Sequence, residues 1–370
     1  MVRFKKIVID KDSTFETAAA CDVNNDGIID IVCGGYWYKG PDFKKKIKIC
    51  DVKETSSEGG LEPYWDDFMT LPLDVDGDGY IDLVTGSWSF GNLRWRKNPR
   101  NEGTWEEIMI DDKAMCVETG FLVDIDRCGV PELIANNVRQ SLLVYKLITD
   151  KNGKGTGKFR KCPIKTYPIY RDQGHGIGFA DIGGRGRLDI VTQHGWYQQP
   201  NDPYNDEWLY FPEFELGCYA SIPVVGMKIA GSGYMDLVYG VGHGYGLHWL
   251  EQVRDDFENS HWVKHVIDDA ASQYHSLVLA DLDGDGEDEL VTGKRYKAHG
   301  LHDPGSLDPL GVYYYKRDKG RLVRHVIDFG DPSDCCGAGL GLFVGNVTGS
   351  GRPDILAPGK DGLALYVNLG

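Results

Sequence analysis

Short apolar runs alternate with clusters of glycine and acidic residues along the whole chain. The runs at 83–84 and 290–291 each follow such a cluster, and the small, apolar stretch at 179–180 precedes one. Apolar runs of this length, bounded by turn residues, are typical of β-strands. The pattern therefore predicts a strand, a loop and a second strand, repeated along an all-β chain.

Two further segments complete each predicted unit. An aromatic segment follows the second strand, as at 93–96, 247–250 and 312–315, and the next segment is polar and β-branched, as at 262–267 and 322–327. Aromatic and β-branched residues favour strands. Each unit is therefore predicted to contain four strands.

The loop between the first two strands recurs as a nine-residue motif, which reads D-x-D-x-D-G-x-x-D in its most complete copies. The copies follow one another at intervals of about 47 to 65 residues. Their first residues are Asp22, Asp74, Asp124, Asp181, Lys228, Asp281 and Asn346. Four strands per repeat and a period of about 50 residues are typical of a propeller. We predict that residues 1–370 form one domain, a seven-bladed β-propeller of four-stranded blades.

The two ends of the sequence predict how this ring closes. Residues 4–10 (FKKIVID) are similar to the outermost-strand segments 263–268 (VKHVID) and 323–328 (VRHVID), whereas 365–370 follow the pattern of a third strand. We expect the amino-terminal strand to complete the last blade. Such pairing removes an open strand edge.

Three copies of the loop carry the oxygen ligands that calcium prefers, with a glycine at the sharp turn. The other copies have lost ligands, for example at Cys128 and Arg185, and are predicted to be metal-free. We expect the ions to stabilise the fold; calcium sensing is the alternative. The predicted calcium ligands are Asp22, Asn24, Asp26, Asp30, Asp74, Asp76, Asp78, Asp82, Asp281, Asp283, Asp285 and Glu289.

The net charge and the cysteine content bear on which partners the protein binds and in which cellular compartment it is found. The formal net charge of -16 argues against nucleic acid, although a local basic pocket would admit a polyanionic substrate. No apolar run is long enough to span a membrane. Residues 1–10 do not resemble a signal peptide, and the nine cysteines are scattered, which favours a cytoplasmic protein with reduced thiols. A mature chain that has lost a leader is the alternative.

Aligning the repeats places five of the ten histidines on one face of the ring. The start of each first strand and the end of each second strand lie opposite the loop that joins them. Imidazoles on that face suit either ligation of zinc or another divalent metal, or proton transfer near neutral pH. The predicted catalytic residues are His175, His194, His243, Tyr245, His275, Arg295 and His299. The predicted substrate-binding residues are Tyr36, Trp88, Glu118, Asn137, Lys294 and Tyr296.

The repeats resemble the FG-GAP or VCBS-type repeats of integrin heads and many bacterial proteins. Residues 275–293 and 311–316 also resemble the propeller part of aldos-2-ulose dehydratase, which eliminates water from oxidised sugars. A looser resemblance is to propeller polysaccharide lyases that cleave uronic-acid glycans such as ulvan. In those lyases a histidine pair, a tyrosine and an arginine serve β-elimination. The resemblance implies such roles for His175 with His194, for Tyr239 or Tyr245, and for Arg295.

Both enzyme resemblances imply one chemistry, in which a proton next to a carbonyl or carboxylate is removed and an oxygen leaving group departs. Such a reaction needs a base, an acid and a cation. We therefore expect a carbohydrate-active lyase or dehydratase that acts on an oxidised sugar or a uronic-acid oligosaccharide. A non-catalytic propeller that binds glycan or protein, and a glycoside hydrolase on the same scaffold, are the alternatives. The sequence carries no prediction of oligomeric state.

Overall fold

The chain is all-β, as the strand pattern predicts. Regular structure in the described part of the chain is strand, apart from a short 3₁₀ turn at Ala298–Leu301. Over the same residues, no helix has the length and apolar character needed to cross a membrane. The computed structural model describes residues 1–56, 63–114, 116–137, 142–167, 175–256 and 259–370.

Five separate sheets of the described residues contain four antiparallel strands each. Four of these sheets are built from strands in chain order. They comprise β2 (Ala18–Cys21), β3 (Asp30–Cys33), β4 (Tyr36–Lys39) and β5 (Lys45–Lys48); β8 (Leu71–Leu73), β9 (Asp82–Gly86), β10 (Leu93–Lys97) and β11 (Glu106–Asp111); β12 (Val117–Val123), β13 (Glu132–Asn137), β14 (Leu143–Thr149) and β15 (Gly155–Pro163); and β25 (Tyr274–Ala280), β26 (Glu289–Lys294), β27 (Leu310–Asp318) and β28 (Arg321–Gly330).

The fifth of these sheets joins the two ends of the chain. It contains β29 (Phe343–Gly345), β30 (Asp354–Gly359), β31 (Gly362–Asn368) and β1 (Phe4–Asp10). The first strand pairs antiparallel with β31, with Phe4 opposite Asn368. The amino-terminal strand therefore occupies the fourth, outermost place in this sheet.

A nine-stranded sheet holds two further four-stranded units in chain order. A parallel pairing of their first strands, with Gly178 opposite Val224, joins the two units. The strands are β17 (Gly178–Ala180), β18 (Asp189–Thr192), β19 (Gly195–Gln198) and β20 (Trp208–Phe211), with β16 (Thr166–Tyr167) added at the edge, then β21 (Val224–Met227), β22 (Asp236–Gly240), β23 (Tyr245–Arg254) and β24 (Ser260–Ser272). A small hairpin is formed by β6 (Glu54–Ser56) and β7 (Pro63–Trp65).

The predicted nine-residue loops connect the first and second strands of each unit. The sixth position needs a left-handed backbone, as Gly27 shows with a φ of 82°. The ninth position carries a buried acid that serves the backbone: Asp82 accepts hydrogen bonds from the N–H groups of Val75 and Asn98. Asp354, in a copy without the other acids, accepts equivalent bonds from Val347 and Asn368. Buried N–H groups need such partners, which explains why all seven copies keep this acid.

Residues in or beside the first strands of six units line a cavity of about 470 Å³. Backbone bonds link neighbouring units here, as between Gly341 N and Glu16 O and between Ile222 N and His275 O. Mostly apolar side chains line the cavity, Phe121 and Leu342 among them. The apolar clusters of the core pack side chains from neighbouring sheets against each other.

Tyrosines on third strands fasten each of four sheets to its neighbour. Each hydroxyl donates a hydrogen bond to an aspartate near the end of the neighbouring sheet's fourth strand. The pairs are Tyr38 with Asp10 at 2.6 Å, Tyr145 with Asp111 at 2.8 Å, Tyr315 with Asp268 at 2.9 Å and Tyr366 with Asp328 at 2.6 Å. The first pair connects the sheet that contains β1 to the sheet that begins with β2.

Candidate metal centre

Four polar side chains from four different units converge at the end of the first strands that lies opposite the nine-residue loops. Glu118 and His275 are the second residues of β12 and β25, His175 precedes β17, and His243 lies in the turn between β22 and β23. Their ligand-type atoms all lie within 4.8 Å of one another. The repeat alignment predicted that these residues share a face, and the structure brings them into one cluster.

Two of the imidazoles present lone pairs to each other. His175 Nδ1 donates to Ala220 O at 2.9 Å, and His243 Nδ1 donates to Asp303 Oδ2 at 2.8 Å. In the neutral rings these bonds leave both Nε2 atoms unprotonated, yet the two Nε2 atoms are only 3.2 Å apart. A cation shared by both nitrogens stabilises such a contact. Outer-shell bonds of this kind are typical of metal-binding histidines.

Glu118 and His275 complete the set of donors. His275 Nε2 lies 3.0 Å from Glu118 Oε1, and His175 Nε2 lies 3.3 Å from Glu118 Oε2. Glu118 Oε2 is buried and accepts no hydrogen bond from the described residues, so its lone pairs are available to a ligand. Three imidazoles and one carboxylate form a donor set that suits zinc and other first-row divalent metals.

Burial sets the protonation of this cluster. It lowers the pKa of His243, and it lowers that of the fully buried His275 to about 3. Burial alone would raise the pKa of Glu118, but the electrostatic interaction with His175 and the hydrogen bond with His275 outweigh it and hold that pKa well below its usual range. Neutral imidazoles and an ionised carboxylate are the forms that bind metals.

Asp303 links the cluster to a more exposed histidine. Its Oδ1 accepts a hydrogen bond from His299 Nδ1 at 3.1 Å, and the rings of His243 and His299 stack with centroids 4.3 Å apart. Burial raises the pKa of Asp303, but the bonds from both histidines outweigh it and hold that pKa well below its usual range. The His299 side chain is 46% exposed. An exposed imidazole held by an ionised carboxylate can accept a proton from a bound molecule.

Arg295 is engaged by another carboxylate. Its Nε and Nη2 donate to the two oxygens of Glu16 at 2.7 and 3.2 Å, and both side chains are buried. Burial raises the pKa of Glu16, but the charge of Arg295 outweighs it and lowers that pKa. Lys360 Nζ lies 3.9 Å from the same carboxylate and 3.4 Å from the centroid of the Tyr64 ring. Arg295 was predicted to be the cation that meets the substrate; in the structure it is buried against Glu16.

Lys294 lies beneath the segment that carries Asp303. Its ammonium donates to Gln273 Oε1 at 2.7 Å and to Gly305 O at 2.6 Å, and burial lowers its pKa to about 8. Gln273 Nε2 also reaches Asp303 Oδ2 at 3.4 Å. Lys294 therefore stabilises the loop that contains Asp303 and Gly305. The sequence predicted that it would contact substrate.

The other predicted site residues lie outside the four-residue cluster. His194 Nδ1 bonds to Glu215 Oε2 at 2.5 Å, and the Tyr245 hydroxyl donates to Asp308 at 2.6 Å. Tyr36 lines a separate cavity of about 300 Å³. Trp88 is 39% exposed, Tyr296 is partly buried with the Lys297 ammonium 5.2 Å from its ring centroid, and Asn137 ends β13 with a side chain outside the described residues.

Sequence reasoning missed Asp303 and Tyr219. The Tyr219 ring centroid lies 5.4 Å from that of His243, and the residue is 51% exposed. Asp303 follows His299 by four positions, so a search for carboxylates near the predicted histidines would have found it. Tyr219 had no such signal, since its approach depends on the path of a turn.

Lysine ammonium groups lie among the carboxylates of the three loops predicted to bind calcium. Lys97 Nζ is 2.5 Å from Asp76, and Lys39 Nζ is 3.3 Å from Asp26. Lys316 Nζ contacts Asp283 and lies 2.7 Å from Asp285. Calcium binding by these loops stays a prediction.

Comparison with known proteins supports the fold alone. No family model matches the chain, and no curated protein sequence matches it significantly. The chain is similar to solved structures of BBS1N in complex with ARL6DN, one soaked with mercury and one with lead. The mercury-soaked structure has a TM-score of 0.54 at 11% identity and covers 98% of this chain and 95% of that chain. The lead-soaked structure has a TM-score of 0.51 at 11% identity and covers 99% and 96%. These chains are propeller domains, which supports a β-propeller fold here.

Proposed function

We propose that this protein is a metal-dependent carbohydrate lyase or dehydratase on a seven-bladed β-propeller. The observation that carries the proposal is the contact between the Nε2 atoms of His175 and His243, 3.2 Å apart beside Glu118. Two Nε2 lone pairs this close repel each other unless a metal ion or a proton lies between them. Glu118, His175, His243 and His275 are the proposed ligands of one divalent metal ion such as zinc.

The proposed ring has seven blades, which correspond to the five separate sheets and the two units of the nine-stranded sheet. The bond from Tyr38 to Asp10 supports closure by β1. Tyr145 with Asp111 makes the same bond between two sheets that follow each other in the chain. The sheets at the two ends of the proposed ring are therefore linked by the same kind of hydrogen bond as two sheets that follow each other in the chain.

The proposed reaction uses the groups next to the metal ligands. A bound divalent metal supplies Lewis-acid polarisation of a substrate carbonyl or carboxylate. His299 removes the proton on the neighbouring carbon, and Asp303 stabilises the imidazolium that forms. The Tyr219 hydroxyl donates a proton to the departing oxygen. Arg295 and Glu16 neutralise each other and position the surrounding backbone.

A carbohydrate substrate is favoured by the aromatic rings near this end of the ring. Trp88, Tyr219 and Tyr245 are each between 39% and 51% exposed. Exposed aromatic faces with a polar edge suit sugar rings, which present both C–H and hydroxyl groups. The net charge of -16 gives no general attraction for nucleic acid.

The first test combines metal analysis with a substrate screen. The purified protein is expected to retain about one equivalent of a divalent transition metal, and His243→Gln should lose it because a ligand is removed. Oxidised sugars and uronic-acid oligosaccharides are screened by the ultraviolet absorbance of the new double bond. His265→Gln is the matched control, because His265 lies on the outer strand β24 and bonds to Glu251.

The outcomes separate the alternatives. Full metal content in a double His175→Gln, His243→Gln variant would overturn the metal site. A metal-loaded protein that binds a glycan without turnover would instead be a binding propeller. Release of saturated sugar would identify a glycoside hydrolase.

A further inference from the structure

Four of the nine-residue loops share a lysine that was not part of the repeat motif. The lysine stands on the third strand of the unit, directly beside the ninth residue of the loop on the second strand. In the sixth unit, Tyr315 pairs with Leu290, so Lys316 lies beside Glu289. The four lysines and their neighbouring acids are Lys39 with Asp30, Lys97 with Asp82, Lys146 with Glu132, and Lys316 with Glu289.

The lysine is present only where the loop is acidic. In the three units whose loops have lost most of their acids, the same strand position holds Gln198, Glu251 or Val367. The ninth residue cannot explain this difference, because Asp189, Asp236 and Asp354 remain in those units. The lysine is therefore found where at least two of the first, third and fifth positions of the loop are acidic.

Each ammonium reaches into its loop. Lys316 Nζ contacts Asp283, Asp285 and Glu289 together. An ammonium with three donors can satisfy several carboxylates at once.

The third loop separates the two explanations. Cys128 has replaced its central acid, so the oxygen shell of a calcium site is incomplete. Lys146 is nevertheless present, and its ammonium contacts Asp126 and lies 3.2 Å from Glu132. A lysine that pairs with acids needs no complete shell, whereas calcium does.

We infer that these four loops are closed by an internal lysine in place of a calcium ion. The candidate ligands of three of these loops lie close enough together to hold an ion, so calcium would have to displace the lysine. In the sixth loop the ammonium contacts three of the predicted calcium donors. In the other loops it contacts one or two loop acids. The acids at the ninth position are engaged as well, since Glu289 accepts a hydrogen bond from Leu282 N and Asp82 accepts two backbone bonds.

Calcium alone, in equilibrium dialysis followed by metal analysis, tests the inference. The wild-type protein should retain no calcium, and its Tm should be the same in calcium and in chelator. Lys316→Met removes the ammonium and leaves Asp281, Asp283 and Asp285 in place. This variant should bind one calcium ion with a Kd of about 10⁻⁴ to 10⁻³ M, as weak oxygen-ligand sites do. Its Tm should rise by about 2 °C or more when calcium is added.

Two further variants keep the test decisive. Lys97→Met examines a second loop independently if Lys316→Met does not fold, and Lys5→Met on β1 is an exposed-lysine control that should bind no calcium. Stoichiometric calcium in the wild-type protein would overturn the inference. So would a folded pair of loop variants that still bind no calcium, because the ammonium would then not be what excludes the ion.

Discussion

At the proposed metal centre, neighbouring groups and burial determine the pKa values of single residues. His243 and His275 are kept neutral, Glu118 stays ionised, and Asp303 holds one imidazole on each of its two oxygens. The same four-residue cluster would be unfavourable with every histidine protonated. The cluster is therefore compatible with the proposed metal ion near neutral pH.

Asp361 gives a residue-scale prediction about pH. It lies in the turn between β30 and β31, where its Oδ2 accepts the Gly337 N–H at 2.6 Å and its Oδ1 is buried without a partner among the described residues. Burial raises its pKa to about 6. The unfolded pKa is about 3.9, so the stability that this group contributes is present below that pH and is lost as pH rises through 6.

Asp361→Asn removes this titration and keeps an oxygen for Gly337. We expect the variant to be more stable than wild type by about 1 to 2 kcal/mol at pH 8 and equally stable at pH 4, as measured by urea unfolding. An equal difference at both pH values would show that ionisation of Asp361 is not the cause.

At the scale of elements, the segment after the 3₁₀ turn connects the exposed His299 to the proposed metal ligand His243. It carries Asp303 and is fastened from below by Lys294 through Gly305. Asp303→Asn should weaken metal affinity or turnover by about 10- to 100-fold, because it perturbs the bond that orients His243. Asp308→Asn is the matched control, since Asp308 bonds to Tyr245 and contacts no proposed ligand. Metal titration of both variants measures the effect, and equal affinities would show that Asp303 does not position His243.

The same scale shows what the sequence could predict. The strand order within each unit and the shared face of His175, His243 and His275 followed from repeat alignment, because a two-residue period and a fixed loop determine where a strand starts. The lysines opposite the loops were not predicted, because their distance from the motif varies with the length of the intervening turn. His194 and Arg295 lie on the expected face, but their partners, Glu215 and Glu16, depend on turns and on neighbouring units.

For the whole molecule, the proposed closure of the ring predicts the effect of a truncation. Removal of residues 1–10 takes away β1 and exposes the edge of β31 to other chains. We expect a lower Tm and concentration-dependent association, measured by differential scanning fluorimetry and size-exclusion chromatography. A monomeric truncated protein with an unchanged Tm would mean that the ring does not depend on this strand.

Point variants of the inter-sheet tyrosines are a milder control. Tyr38→Phe removes a hydrogen bond at the proposed closure, and Tyr145→Phe removes the equivalent bond at an interior junction. Each should lower the free energy of unfolding by about 1 kcal/mol. A much smaller loss of unfolding free energy for Tyr38→Phe than for Tyr145→Phe would show that the hydrogen bond at the proposed closure contributes less to stability.

The pairing of β1 with β31 also orders events in time. During synthesis β1 is made before the other described strands, and its partner β31 is made after them. Until then β1 has no sheet to join, while units such as β8–β11 can form from neighbouring segments. The nascent chain therefore carries β1 unpaired until β31 has been made. Lys5 and Lys6 give the unpaired β1 a positive charge, which disfavours its pairing with other nascent chains.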